Sequence, residues 1–150
     1  MQRRSVLLLS ILLALTLAGT DAASGASQSV WSALVIANNV AHPEETPAEL
    51  RKLEGTLKEL FGYNQYTVIG QSRKALVTGS EDWMAQSKYF ALHVDSKQGN
   101  EKTGYLLDLK LFQEKSLLLE TETKLTKESP LIIRGPSVGD GQLILLLVVQ

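Results

Sequence analysis

Leu143-Ile144-Leu145-Leu146-Leu147-Val148-Val149 is the most continuously apolar stretch beyond the N-terminal region of this 150-residue chain. Its seven residues fall far short of the roughly 20 that cross a bilayer as a helix. Read as a strand, it places Leu143, Leu145, Leu147 and Val149 on one face and Ile144, Leu146 and Val148 on the other. A strand with one wet face alternates apolar and polar residues, so a run that is apolar on both faces belongs inside a sheet covered from two sides. The rest of the chain has to supply both covers.

Residues 46–66 predict the first cover, a single amphipathic helix. Thr46-Pro47-Ala48-Glu49 has the form of a capping box with proline at the first helical position, where a missing N–H costs nothing. Leu50, Leu53, Leu57, Leu60 and Phe61 recur at helical spacing. Glu54 and Lys58 form a favourable i,i+4 pair, and Gly62 supplies the stop.

A series of short strands predicts the second cover. Residues 30–37 form the first strand, and 38–46 a loop into the helix. Residues 65–69 and 74–78 are strand candidates with a turn at 70–73, whereas 79–86, with Trp83 and Met84, fits an edge of the core. Residues 88–95 alternate strictly, with Phe90, Leu92 and Val94 on one face. A polar hairpin loop at 96–103 contains Gly99-Asn100. Residues 105–112 then align Tyr105, Leu107, Leu109 and Leu111. Residues 117–124 alternate again, with Glu120 and Glu122 outward, and 130–134 precede a glycine-rich connection at 135–141. The expected fold class is α+β, a mostly antiparallel sheet with one amphipathic helix packed on it. The alternative is a small β-sandwich with the helix across one open end.

Arg3 and Arg4, the apolar run at 6–18 and the small residues after Gly19 have the three-part plan of a secretory signal peptide. The expected organisation is a signal peptide at 1–22, a flexible lead-in at 23–29 and one α+β domain at 30–150. Removing 1–22 takes away Arg3, Arg4 and Asp21. That leaves 13 basic and 15 acidic residues, a net charge of −2. Such a balance gives no electrostatic reason to expect nucleic acid or stable membrane insertion after cleavage. An exported chain of this size without a single cysteine points to a bacterial periplasm or extracellular space rather than to a disulfide-bridged secreted domain.

Candidate chemistry is sparse. His42 and His93 stand 51 positions apart with no H-x-x-x-H spacing, and solvated histidines are the expectation. The glycines of 135–141 lead into a strand, whereas a phosphate loop needs a helix N-terminus there. Ser137 has no G-x-S-x-G context. No catalytic residue, cofactor or metal is expected. Asp82, Asp95, Asp108, Glu120 and Glu122 are the carboxylates available for pairing in space. Tyr63, Tyr66, Trp83, Tyr89 and Tyr105 form the candidate recognition surface, since several fall off the apolar faces.

Leu60-Phe61-Gly62-Tyr63 leading into Tyr66, with Gly141-Gln142-Leu143-Ile144-Leu145, resembles a pattern in uncharacterised secreted bacterial proteins, and implies no activity. Residues 123–135, with Pro130-Leu131-Ile132-Ile133-Arg134-Gly135, are similar to strand pairs of secretin-type outer-membrane channels, without the paired glycines expected there. That likeness implies an envelope-machinery setting. The functional expectation is an exported, non-catalytic interaction or structural module of the bacterial cell envelope, accessory to secretion or pilus machinery, with a protein partner. The alternatives are a small carboxylate-based hydrolase or carbohydrate-active domain, and a binder of small apolar ligands.

Overall fold

The computed structural model describes residues 28–150; the expected signal peptide and most of the expected lead-in lie outside the described residues. Eight strands form two four-stranded antiparallel sheets. The first sheet contains β1 (Ser29–Asn38), β2 (Gln65–Ala75), β7 (Leu131–Val138) and β8 (Gly141–Val149), in the order β2-β1-β8-β7. The second holds β3 (Glu81–Gln86), β4 (Phe90–Asn100), β5 (Gly104–Gln113) and β6 (Ser116–Leu125) in sequence order. The α+β reading of mostly antiparallel sheet with one helix holds among the described residues.

The C-terminal run is the hub. β8 pairs with β1 on one side and β7 on the other, and Leu143 to Leu147 are each 0% exposed. Its odd-numbered face, Leu143, Leu145, Leu147 and Val149, joins Val30 and Leu34 of β1 against Leu92, Val94, Leu107, Leu109 and Leu111 of the second sheet. Its even-numbered face, Ile144 and Leu146, joins Trp31, Ala33, Val35 and Ala37 beneath Leu50 and Leu57. The molecule is thus three layers, helix on sheet on sheet. Each fully buried Leu or Ile contributes about 1.5–3 kcal/mol of transfer free energy, which is why the chain keeps both faces of β8 apolar. The sheets do stack as a sandwich, but the helix covers the outer face of the first sheet and not an open end.

The helix is shorter than its pattern predicts. A 3-10 turn spans Ala48–Leu50, and α1 spans Glu54–Phe61. The capping box does not form; the Thr46 hydroxyl donates to the Glu54 carboxylate at 2.8 Å, and Pro47 sits at the cap of the 3-10 turn. The 3-10 turn and α1 are thus separate elements and not one continuous helix. Leu50 and Leu57 are buried and Leu53 and Phe61 half-buried, but Leu60 is turned out at 54% exposure. The Glu54–Lys58 pair closes at 2.6 Å, and Gly62 ends the helix at φ 73°, a left-handed position that suits glycine.

Four boundaries also differ from expectation. The expected strand at 65–69, turn at 70–73 and start of the strand at 74–78 form one strand, β2, with a bulge opposite the Leu34–Val35 step, and residues 76–78 lie outside it. Gly70 is not a turn residue. It allows close approach to β3, since a Cβ there would collide with the Gln86 carbonyl. The loop expected at 96–103 shrinks to a turn at 101–103, because β4 continues to Asn100 with Ser96 buried. Likewise the connection expected at 135–141 is mostly strand, with β7 running through Gly135-Pro136 to Val138. Residues 123–135, similar to a strand pair, instead cross between sheets: β6 and β7 do not pair. β1 opens at Ser29, inside the expected lead-in.

Candidate recognition surface

The five aromatic residues expected to share a surface are split between three places. Tyr66 is 3% exposed beneath α1, where its hydroxyl donates to the Leu57 carbonyl at 2.9 Å. Tyr105 is 7% exposed and faces the core between the sheets. Burial raises the pKa of both phenols above the usual tyrosine value. Tyr63 is half-buried against the helix-side core. These three are structural: β2 and β5 point Tyr66 and Tyr105 inward, and the loop after α1 packs Tyr63 against the helix-side core. Trp83 and Tyr89 are the exposed members.

Trp83 lies on the outer face of the second sheet. A bulge between Trp83 and Ala85 turns Met84 and Ala85 into the core and leaves the indole outside, opposite His93. The indole meets the His93 ring edge-on at 5.0 Å and the Phe112 ring at 5.6 Å. Phe112 in turn lies opposite Leu117, which is exposed, as is the bulged Leu118 next to it. Trp83, His93, Phe112 and Leu117 thus form an apolar and aromatic row running from β3 to β6. Phe112 and Leu117 are not among the recognition residues expected from sequence. Their signal was available: both are large apolar residues next to the turn at 113–115.

The remaining outer face is ionic and ordered in rows. Glu81, Asp95, Asp108 and Glu122 stand opposite one another across all four strands. Of the carboxylates considered from sequence, Asp95, Asp108 and Glu122 are thereby brought together. Glu120 falls one row away, opposite Lys110, and Asp82 reaches the Lys74 ammonium at 3.2 Å. Lysines are interleaved, with Lys97 at 3.6 Å from Glu122 and Lys110 at 3.8 Å from Glu120 and 4.0 Å from Asp108. His93 Nε2 lies 3.5 Å from the Glu81 carboxylate, and His42 is exposed in the loop before α1. Among the described residues, no three His, Asp or Glu side chains converge as metal ligands.

Around the helix, hydrogen bonds from Lys58 and Thr46 hold the Glu54 carboxyl below its usual pKa. The Glu49 carboxyl is lowered too, first by its own backbone N–H and then by Gln71. Gln71 also accepts the Trp31 indole N–H at 2.9 Å, so this network fixes the helix end to the first sheet. Three concavities stand out among the described residues. A groove of about 460 Å³ lies over Leu106, between the β4–β5 turn and Lys124. A polar one of about 400 Å³ lies between Glu44, Glu45, Arg51 and Lys58. The third, about 300 Å³, opens at one end of the sandwich between Ile36, Ile69, Phe90 and Val138, with Lys88 and Tyr89 at its rim.

In comparisons with known proteins, no family model, curated protein or solved structure matches this chain.

Proposed function

We propose that this protein is an exported, non-catalytic interaction module of the bacterial cell envelope, accessory to secretion or pilus machinery. Its protein partner docks on the outer face of the second sheet. The observation that supports this reading is the row of Trp83, His93, Phe112 and Leu117. Binding energy at protein interfaces concentrates in a few aromatic anchors surrounded by polar contacts that exclude water. Trp83 at 41% exposure, braced by two rings and bordered by paired charges, has that character.

The test is a photo-crosslinking residue at position 83 in cells expressing the full chain, compared with one at Glu59 on the exposed side of α1. A discrete envelope-protein adduct from position 83, absent from position 59 and competed away by unmodified protein but not by its Trp83→Ala variant, is expected. Equal labelling from both positions, or recovery of the protein in the cytoplasm, overturns the reading.

A second reading, binding of a small apolar ligand, is supported by the opening lined by Ile36, Ile69, Phe90 and Val138. Its volume lies at the lower end of the roughly 300–1,000 Å³ typical of ligand pockets. Under this reading, decanoate shifts the methyl resonances of Ile36, Ile69 and Val138. Filling the opening with Val138→Trp abolishes those shifts; unchanged spectra would sink it.

A further inference from the structure

The edges of the two sheets are protected unequally. β2 and β3 close on one another: the Ser72 hydroxyl donates to the Met84 carbonyl, Lys74 Nζ donates to the Trp83 carbonyl at 2.6 Å, and Gly70 abuts Gln86. β7 is interrupted by Gly135-Pro136 and a register shift between Arg134 and Ser137, with the Gln142 amide donating to the carbonyls of both interrupting residues. Bulges, prolines, cover and edge charges are the ordinary means by which proteins stop edges from pairing. Over residues 119–125 β6 has the charges alone, and they are of both signs. There it runs in unbroken register against β5, has no proline or glycine, and among the described residues has no strand on its other side.

The outward side chains of this edge end two charge rows. Glu122 terminates the acidic row that starts at Glu81. One row along, Lys124 stands opposite Leu106, with Lys97 in the β4 bulge beyond it. The acidic row and, one row along, the single lysine Lys124 therefore reach the same open edge side by side.

We infer that two copies of this chain pair through β6, antiparallel about a two-fold axis at Thr123, joining two four-stranded sheets into one continuous sheet. About that axis, Glu122 of each copy lies opposite Lys124 of the other. The acidic row of each copy thus ends on Lys124 of its mate. Thr121 meets Leu125 and Glu120 meets Thr126. The neighbouring registers are worse on charge alone: an axis at Thr121 sets Glu120 against Glu122 twice, one at Glu122 sets that residue against itself, and one at Lys124 does the same for lysine. Cross-strand pairs of opposite charge stabilise a sheet and like pairs destabilise it, so charge selects the Thr123 axis. The inference stands on the edge and its charges; it does not require the partner-binding row around Trp83.

The chain contains no cysteine, so Thr123→Cys introduces the sole thiol. Directly opposed residues of antiparallel strands have Cα atoms about 4.5–5.5 Å apart, within the roughly 4.4–6.8 Å of a disulfide. Protein recovered from expression of the full chain should therefore give a disulfide-linked dimer of the T123C variant on mild oxidation. An E120C variant should not, because its two thiols lie about six residues apart along the strand, or roughly 20 Å. By light scattering, wild type should dimerise with rising concentration. Glu122→Lys and Lys124→Glu should each weaken that dimer tenfold or more while both variants still unfold cooperatively, and the double exchange should restore it. A monomer at every concentration, equal cross-linking from positions 120 and 123, or single exchanges that dimerise like wild type would each overturn the inference.

Discussion

Replacing Asp95 by asparagine is expected to stabilise the protein. Asp95 lies between Glu81 on β3 and Asp108 on β5, directly opposite both, and has no ion-pair partner among the described residues. Like charges facing each other across strands cost about 0.2–1 kcal/mol per pair. Two such pairs give about 0.4–2 kcal/mol before screening, and the solvated face holds the gain to the lower half of that range. Asparagine keeps the shape of the side chain, so packing and strand geometry are held constant. Urea melts at low salt should show a higher midpoint with an unchanged slope. In about 1 M salt the Debye length falls to about 3 Å, and most of the gain should vanish. A midpoint that does not move at low salt would mean that Lys97 and Lys110 already neutralise the row. A gain that persists at high salt would mean that charge is not its cause.

Three further outcomes are expected from the layers and the buried phenols. Leu57→Ala should cost about 2–5 kcal/mol, the range for truncating a buried leucine, whereas Leu60→Ala should stay within about 0.5 kcal/mol; equal shifts in denaturant melts would misplace the helix face. Tyr66 and Tyr105 have folded pKa values raised above the usual 10.0, so their contribution is complete below pH 10 and is lost as pH rises through the folded values. Stability should therefore fall more steeply above pH 10 in wild type than in Tyr66→Phe or Tyr105→Phe, with Tyr66→Phe also losing about 1 kcal/mol at neutral pH with its hydrogen bond to Leu57. Deleting residues 143–150 should abolish the cooperative transition in circular dichroism, because it removes the strand that β1 and β7 both pair with and the floor of both cores.

Face assignments inside each strand were legible wherever burial is one-sided. Tyr105, Leu107, Leu109 and Leu111 alternate with Leu106, Asp108, Lys110 and Phe112, and a period of two leaves only one way to turn them inward. β8 was legible for the opposite reason: with no polar face, it had to be covered twice. Boundaries failed where backbone geometry, not hydrophobicity, decides. Gly70 reads as a turn in isolation, yet here it clears space for Gln86 on another strand. A 3-10 turn before α1 leaves no mark in the spacing of the leucines, nor does the narrowness of the buried face, which takes Leu57 and leaves Leu60 in solvent. The aromatic set failed similarly. Tyr105 was already aligned with the inward leucines of its strand, whereas Tyr66 occupies a position a leucine would fill, and only the packing around its ring distinguishes a core tyrosine from an exposed one.

Cross-strand register is the information that a linear sequence withholds, and the outer face of the second sheet consists of it. Glu81, Asp95, Asp108 and Glu122 are separated by 14, 13 and 14 residues, spacings that mean nothing until three turns bring them into one line. The bulge at Trp83 adds a half-step, so the indole joins His93 and Phe112 instead of facing the core. Stability alone would not keep four carboxylates abreast, since each adjacent pair opposes folding. Such a row is tolerable beside Lys97 and Lys110, and it is favourable only where something positive meets its end. At β6 that end is open, and the matching lysine is two residues further along the same strand.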